Sequence, residues 1–290
     1  MQIITEKLKT IIDWAENNKD ISAVLLTSSF VNPLASVDEF SDLDIELVFL
    51  DNANYVSNHN WTHHFGNPIA MVEEDSSCFD YKYAMKMVLY DDYGKVDFKL
   101  YSKSIFLEEV NGNELPEDWD IGYKVLIDKE GITQNLKKPT YQVSIIKKPS
   151  PQKFTQILND FWWDTTYVAK SLVREELFYA KFMSENNIRT DYLIPLIEWH
   201  IASQHHWNIT TNKYGRLFRK YLTPAMWEKV EQTFSGKAIN ENWNALFAMA
   251  DLVTEIGTEL SEKLGYKYPK KLETAIRKYL TEMRAVKRCQ

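Results

Sequence analysis

Ser28-Ser29-Phe30-Val31-Asn32-Pro33-Leu34-Ala35-Ser36-Val37-Asp38-Glu39-Phe40-Ser41-Asp42-Leu43-Asp44-Ile45-Glu46-Leu47 is the stretch whose reading decides the fold. It sets small hydroxyl residues after an apolar run, then a loop, then two aspartates two residues apart at the head of another apolar run. Alternation along a strand sends Asp42 and Asp44 to the same side of a sheet. Two carboxylates at a strand edge beside a loop suit a hard divalent cation. Mg2+ in such places takes one or two protein carboxylates and completes its shell from phosphate and water oxygens. D-x-D is also short and common, and it equally describes the solvated acidic start of an ordinary strand, so the flanking chain has to discriminate.

Working outward, Ile21 to Leu26 is a short apolar strand, and Ile45 to Leu50 is apolar enough to be a central one. Residues 3–18 form an amphipathic helix with Ile4, Leu8, Ile11, Ile12 and Ala15 on one stripe. Residues 51–70 are a polar helix or loop ending at Gly66-Asn67-Pro68. Met85 to Tyr90 and Lys95 to Leu100 are strands joined by the hairpin connection Asp91-Asp92-Tyr93-Gly94. In the second of them Val96, Phe98 and Leu100 share one face, which leaves Asp97 on the other with Lys95 and Lys99. Asp97 is therefore either one charge on a wet strand face or the third member of a carboxylate cluster with Asp42 and Asp44. Three carboxylates held close repel one another unless a cation neutralises them. That arrangement suits nucleotidyl transfer, in which Mg2+ clamps a triphosphate and polarises the attacking hydroxyl. Asp97, within reach of that hydroxyl, could accept its proton.

Beyond residue 111 the texture changes. Asn111-Gly112-Asn113, Leu115-Pro116-Glu117-Asp118, Lys137-Lys138-Pro139 and Lys147-Lys148-Pro149-Ser150-Pro151 are loop and linker signals, and strands disappear after them. Phe154, Ile157, Leu158, Phe161, Thr165, Val168 and Leu172 keep a three-four spacing, the mark of a long helix with a buried face. Thr190-Asp191 opens a second helix through Trp207, and Thr223-Pro224 a third. Residues 241–263 and 270–286 complete a helical half. The expected architecture is α+β: a mixed sheet with helices over 1–145, followed by an all-helical domain over 146–290.

The bulk composition narrows the function. At 290 residues, 44% hydrophobic and 26% charged, the chain is long enough for two cored domains. A net charge of −7 argues against a nucleic-acid partner and suits a cationic substrate instead. Glu73, Glu74, Asp75, Asp91 and Asp92 could help collect such a substrate, or simply be solvated surface. Cys78 and Cys289 make neither a disulfide framework nor a thiolate metal site. Met1 to Lys7 shows no signal-peptide pattern and no apolar run approaches a membrane span, so a cytoplasmic protein without a membrane partner is expected. His59 and His63, or His200 with His205 and His206, lack the partners of a zinc motif, and His200 is expected as a hydrogen-bonded core residue. Phe161, Trp162, Trp163 and Tyr167 are expected to serve packing, with one ring left that could cover an adenine or a sugar. No P-loop, G-x-S-x-G or G-x-G-x-x-G occurs.

The pieces together resemble the aminoglycoside 6-adenylyltransferases, the streptomycin-modifying branch of the polymerase-β-like nucleotidyltransferases. The family's opening motif runs Gly-Ser-Arg, then a Pro, then Asp-x-Phe-x-Asp-Tyr-Asp-Ile. Here it reads Ser28-Ser29-Phe30, Asn32-Pro33 and Asp38-Glu39-Phe40-Ser41-Asp42-Leu43-Asp44-Ile45. Trp61 with Phe65-Gly66, Lys95-Val96-Asp97 and Asp128-Lys129 continue the likeness. In the helical half it is carried by Asn159-Asp160-Phe161-Trp162, Thr166-Tyr167-Val168-Ala169-Lys170 and Arg174-Glu175-Glu176-Leu177-Phe178. Trp199-His200-Ile201-Ala202-Ser203-Gln204, Lys213, Lys220-Tyr221-Leu222 and Gly265-Tyr266-Lys267-Tyr268-Pro269 extend it, in order, over nearly the whole chain.

The resemblance implies a nucleotidyltransferase fold, Mg2+ with ATP as co-substrate, and a cationic aminoglycoside as acceptor. It implies Asp42 and Asp44 as metal ligands, with Asp97 as the third ligand or as the base for the acceptor hydroxyl. Ser28 and Ser29 fall at the phosphate-binding turn, Ser29 offering its hydroxyl and N–H to a phosphate oxygen. Lys170 and Lys213 fall where helical-domain lysines could reach the triphosphate. Glu176 is an alternative base, and the oligomeric state stays open. Three departures stand out: Ser28 replaces the motif glycine, Phe30 the arginine that would hold phosphate bidentately, and Leu43 the tyrosine. They leave room for a nucleotide-binding homologue without turnover, or for another acceptor such as a lincosamide or a protein hydroxyl.

Overall fold

The computed structural model describes residues 2–286; Cys289 lies outside them, and Cys78 is an exposed free thiol. The chain divides into two compact units, Met1–Ser144 and Ile145–Gln290. The first is α+β and the second is built of helices.

The first unit runs α1 (Gln2–Asn17), β1 (Ile21–Thr27), β2 (Leu43–Phe49), α2 (Ala53–Ser57), β3 (Pro68–Glu74), β4 (Ala84–Tyr90), β5 (Lys95–Ser102), α3 (Lys103–Val110), α4 (Glu117–Asp120) and β6 (Tyr123–Asp128). The six strands form one sheet in the order β3-β4-β5-β2-β1-β6. β2 and β5 pair in parallel, and the other neighbours are antiparallel. A parallel pair needs a crossover, here the α2-β3-β4 segment, and in return it brings two strand beginnings to the same sheet end.

Alternation divides the sheet into two faces. Leu43, Ile45, Leu47 and Phe49 of β2 join Val96, Phe98 and Leu100 of β5 under α1, which contributes Ile4, Ile11 and Ala15. The opposite face has its own core at the far end of the strands, where Ala23, Leu25, Val48 and Tyr101 meet Phe106, Val110 and Trp119. The near end of that second face carries the aspartates.

Two strands were not expected. β3 begins on a proline, lies at the sheet edge and has no buried residue, so it shows no apolar alternation. β6 occupies the other edge, within the stretch that its loop signals assign to irregular chain, and Ile127 is its one buried residue.

The second unit runs α5 (Pro151–Val173), α6 (Leu177–Lys181), a π-helical segment Phe182–Leu193, α7 (Ile194–Gln204), α8 (Phe218–Tyr221), α9 (Pro224–Glu231), α10 (Ile239–Leu264) and α11 (Lys270–Ala285). Caps explain the boundaries. Ser150 Oγ accepts from Lys153 N–H at 3.1 Å ahead of Pro151, and Thr223 Oγ1 accepts from Met226 N–H at 3.2 Å ahead of Pro224. α10 ends at Gly265, whose φ of 71° is the left-handed cap that glycine adopts without strain. The helix expected from Thr190 to Trp207 instead belongs to helical chain that starts at Leu177 and ends at Gln204. Pro195 has no N–H to return to the carbonyl four residues back, and the wider π turns lie directly before it. Phe154, Phe161, Trp162, Leu172, Leu196, Leu246, Val253 and Ile256 lie in one hydrophobic core.

Candidate active site

The parallel register sets Leu43 against Val96 and Asp44 against Asp97. On the other side of β2, Thr27, the last residue of β1, pairs with Asp44. The Ser28–Phe30 turn therefore leaves the sheet beside both aspartates, and Asp42 stands one residue before β2. Three segments distant in sequence thus meet at one sheet end. Met87 pairs with Asp97 from β4 and shares its face.

Lys95 joins the group. Its Nζ donates to Asp42 Oδ2 at 2.9 Å and to Asp97 Oδ2 at 3.0 Å. Burial acts against the ammonium, yet the two carboxylates outweigh it and hold Lys95 above its ordinary range. Burial, with the charges of Asp97 and Asp42, pushes Asp44 up to about 6, against the opposing effects of a Ser28 side-chain hydrogen bond and the Lys99 charge. Burial likewise raises Asp97, opposed by Lys95. Asp97 Oδ1 is buried and has no hydrogen-bond donor among the described residues.

Further along the same face the charges are enclosed. Glu46 is fully buried, its Oε2 accepting from Trp119 Nε1 at 2.6 Å. Lys99 stands 3.4 Å from Glu46 Oε1 and donates to Asp118 Oδ2 at 2.6 Å. Asp44 and Glu46 on β2 thus face Asp97 and Lys99 on β5 as two successive cross-strand pairs. The first lies at the site, and the second lies under the indole of Trp119.

The turn at Ser28 explains the motif glycine. Ser28 has φ of 64°, in the left-handed region that glycine occupies freely and other residues enter at a cost of about 1 kcal/mol. Its N–H donates to the Gly122 carbonyl at 3.2 Å, and its own carbonyl accepts from Val31 and Asn32 N–H at 3.2 and 3.1 Å. Its side chain lies near enough to Asp44 to oppose the rise of that carboxyl. Gly122 has φ of 137°, and a Cβ there would stand 3.0 Å from the Val31 carbonyl oxygen, so that glycine lets the turn seat closely. Ser29 is half-buried beside it, and Phe30 packs against the α1-side core.

The helical-unit candidates are placed differently. Lys170, half-buried on α5, holds its ammonium 4.8 Å from the centre of the Tyr167 ring. Lys213 is exposed, its backbone N–H bonded to Asn212 Oδ1 at 2.9 Å. Glu176 is exposed and 3.8 Å from Arg174. Phe161 and Trp162 are buried, whereas Trp163 is 61% exposed and its Nε1 lies 3.4 Å from the Tyr167 hydroxyl. His200 is buried, with Nε2 2.9 Å from the Gln204 amide and Nδ1 3.1 Å from Glu259.

The carboxylates at this sheet end are the ligand type a hard cation prefers, and one of their oxygens, Asp97 Oδ1, is buried and without a hydrogen-bond donor. Among the described residues no three His, Cys, Asp or Glu side chains converge tightly enough to hold a metal ion, and Lys95 occupies the place between Asp42 and Asp97. Sequence reasoning missed three contributors. Lys95 was legible as a same-face neighbour of Asp97, whereas nothing in the spacing ties Gly122 to Ser28 or Trp119 to Glu46.

The comparisons with known proteins place this chain among the nucleotidyltransferases. The family model described as streptomycin adenylyltransferase matches residues 1–283, and the chain belongs to that family. It is 30% identical over 268 residues to an aminoglycoside 6-adenylyltransferase of Bacillus subtilis (strain 168), covering 91% of this chain and 92% of the relative. Its likeness to the aminoglycoside 6-adenylyltransferase of Staphylococcus aureus is 26% identity over 96% of this chain and 98% of the relative. A crystal structure of an aminoglycoside 6-adenyltransferase from Bacillus subtilis aligns over 97% of this chain and 98% of its own, with 26% identity and a TM-score of 0.48.

Proposed function

We propose that the chain transfers AMP from ATP to a hydroxyl of a cationic aminoglycoside such as streptomycin, releasing pyrophosphate, with Mg2+ held by Asp42, Asp44 and Asp97. The observation that carries the reading is the parallel register of Asp44 and Asp97, with Asp97 Oδ1 buried and lacking a donor. The names of the relatives support the acceptor class. When bound, Mg2+ supplies positive charge for the triphosphate and lowers the pKa of the acceptor hydroxyl. Asp97 takes the proton of that hydroxyl as its oxygen bonds to the α-phosphorus and the bond to the pyrophosphate oxygen breaks. The Ser28 hydroxyl orients Asp44, and Ser29 meets a phosphate oxygen. Lys170 and Lys213 are proposed to bind the triphosphate from the helical unit, and the two units correspond to a catalytic domain over 1–145 and a substrate-binding domain over 146–290. No described helix is long and apolar enough to cross a membrane, and we place the reaction in the cytoplasm, where ATP is available.

Incubation with ATP, Mg2+ and streptomycin, read by pyrophosphate release and by the acceptor's mass, tests the reading. A gain of one adenylyl group is expected. Binding of ATP without pyrophosphate from any aminoglycoside overturns it in favour of a nucleotide-binding homologue. A gain on a lincosamide or a protein hydroxyl alone keeps the chemistry and replaces the acceptor.

A further inference from the structure

We propose that Lys95 is a built-in counter-ion that holds the cation position between Asp42 and Asp97 and is exchanged for the divalent metal when the site is loaded. The inference rests on the metal reading of those aspartates given above.

The geometry is specific to this lysine. Its ammonium lies 2.9 Å from Asp42 Oδ2 and 3.0 Å from Asp97 Oδ2, bridging two strand beginnings that the parallel register brings together. Those oxygens belong to two of the three carboxylates assigned to the metal. Mg2+ binds oxygen at about 2.0–2.1 Å in a near-octahedral shell. An ammonium hydrogen-bonded to both carboxylates cannot keep its place while such an ion takes them.

The more deeply buried lysines of this unit are tied down elsewhere. Lys7 is held by the Phe65 carbonyl at 2.8 Å and Asp92 at 2.9 Å, and Lys86 by Glu73 at 3.0 Å. Lys99, with a side chain 12% exposed, lies between Glu46 and Asp118. The Lys95 side chain is 36% exposed, and the hydrogen bonds of its ammonium among the described residues go to Asp42 and Asp97 alone. Half-exposed ion pairs are weak, so Lys95 can leave without dismantling the sheet. With Lys95 gone and no metal bound, Asp42, Asp44 and Asp97 would repel one another. The lysine thus keeps the site assembled while it is empty, and its release sets the threshold for metal entry.

Free Mn2+ measured by electron paramagnetic resonance, with full-length protein and no nucleotide, tests the exchange. K95Q should bind Mn2+ roughly threefold to tenfold tighter than wild type, the scale of one or two half-exposed ion pairs removed as competitors. Its melting temperature should be lower than that of wild type without metal and recover with Mn2+, and K95R, which keeps the charge, should bind no tighter than wild type. Equal or weaker binding by K95Q overturns the exchange and leaves the metal reading standing. No Mn2+ binding by wild type or K95Q overturns both. A readout on wild type needs no variant to fold: acetylation of the Lys95 amine, mapped by mass spectrometry, should accelerate when Mn2+ is added while that of Lys99 does not. Unchanged Lys95 reactivity with Mn2+ bound overturns the exchange.

Discussion

The two units bury carboxylates in opposite ways. In the helical unit Glu273 is 3% exposed and surrounded by donors: Thr254 at 3.0 Å, Lys270 at 2.7 Å and Arg277 at 2.9 Å. Burial alone would raise it, but those donors win and hold Glu273 below the ordinary glutamate range. In the sheet unit Asp44 and Asp97 are raised, and one Asp97 oxygen has no donor. The difference separates a carboxylate whose partners are all supplied by the chain from carboxylates left short of donors. Glu46 also has an oxygen without a donor but sits beside Lys99, whereas at Asp97 the proposed metal would make up the shortfall.

Breaking that comparison at its strongest point means removing the aspartates. The double variant D42N/D44N should lower adenylyl transfer by about 10⁴-fold, on the order of 5 kcal/mol of barrier, while thermal melting stays at or above the wild-type temperature. Retained pyrophosphate release would refute the metal assignment. The helical core should answer in the other currency: F161A, at a fully buried position packed edge-on against Trp162, should cost about 3–5 kcal/mol in a urea titration.

The sharpest contrast pairs two isosteric changes. E273Q should destabilise the metal-free protein by about 1–3 kcal/mol, because it strips charge-assisted hydrogen bonds from Arg277 and Lys270. D97N should leave it unchanged or raise its melting temperature, because it removes a charge from a crowded group. Shifts of the same sign in both variants would erase the distinction. Exchanging Gly122 for alanine should cost about 1–3 kcal/mol and raise the KM for ATP, since the new Cβ meets the Val31 carbonyl behind the Ser28 turn.

The smallest effect is a pH dependence. Asp44 in the folded protein titrates at about 6 against an ordinary 3.8, so the folded state binds more protons than the unfolded one between those values. Its contribution is a penalty, full above pH 6 and relieved as pH falls toward 4. Glu273 runs the other way: its contribution is present above the ordinary glutamate value of 4.5 and is lost as pH falls through its lowered folded-state value. Hydrogen exchange resolved by unit, without metal, should show the sheet unit gaining protection between pH 7 and 5. D44N should reduce the gain, leaving the part due to Asp97 and Glu46, whose carboxyls burial also raises.

Much of this was legible in the chain itself. Period-two alternation put Asp97 opposite Val96, Phe98 and Leu100, and the three-four spacing from Phe154 to Leu172 marked α5 within a few residues of its ends. The pairing that joins Asp44 to Asp97 was not legible, because parallel strands about fifty residues apart carry no local signal of their register. The edge strands β3 and β6 lack a buried face to announce them. The role of position 28 was half legible: the family glycine indicated a special turn, but only the φ of 64° shows that Ser28 itself takes a left-handed conformation, with its side chain near Asp44.

The alternation that exposes the aspartates also bears on how faithfully the sheet assembles. If β2 were displaced by one residue against β1 and β5, its Leu43, Ile45, Leu47 and Phe49 would leave the α1 side and Asp44 and Glu46 would enter it. That error would bury two carboxylates in hydrocarbon with no donors, at a cost of several kcal/mol each. The carboxylates of the proposed site would thereby also favour the aligned sheet during folding, before any substrate is present.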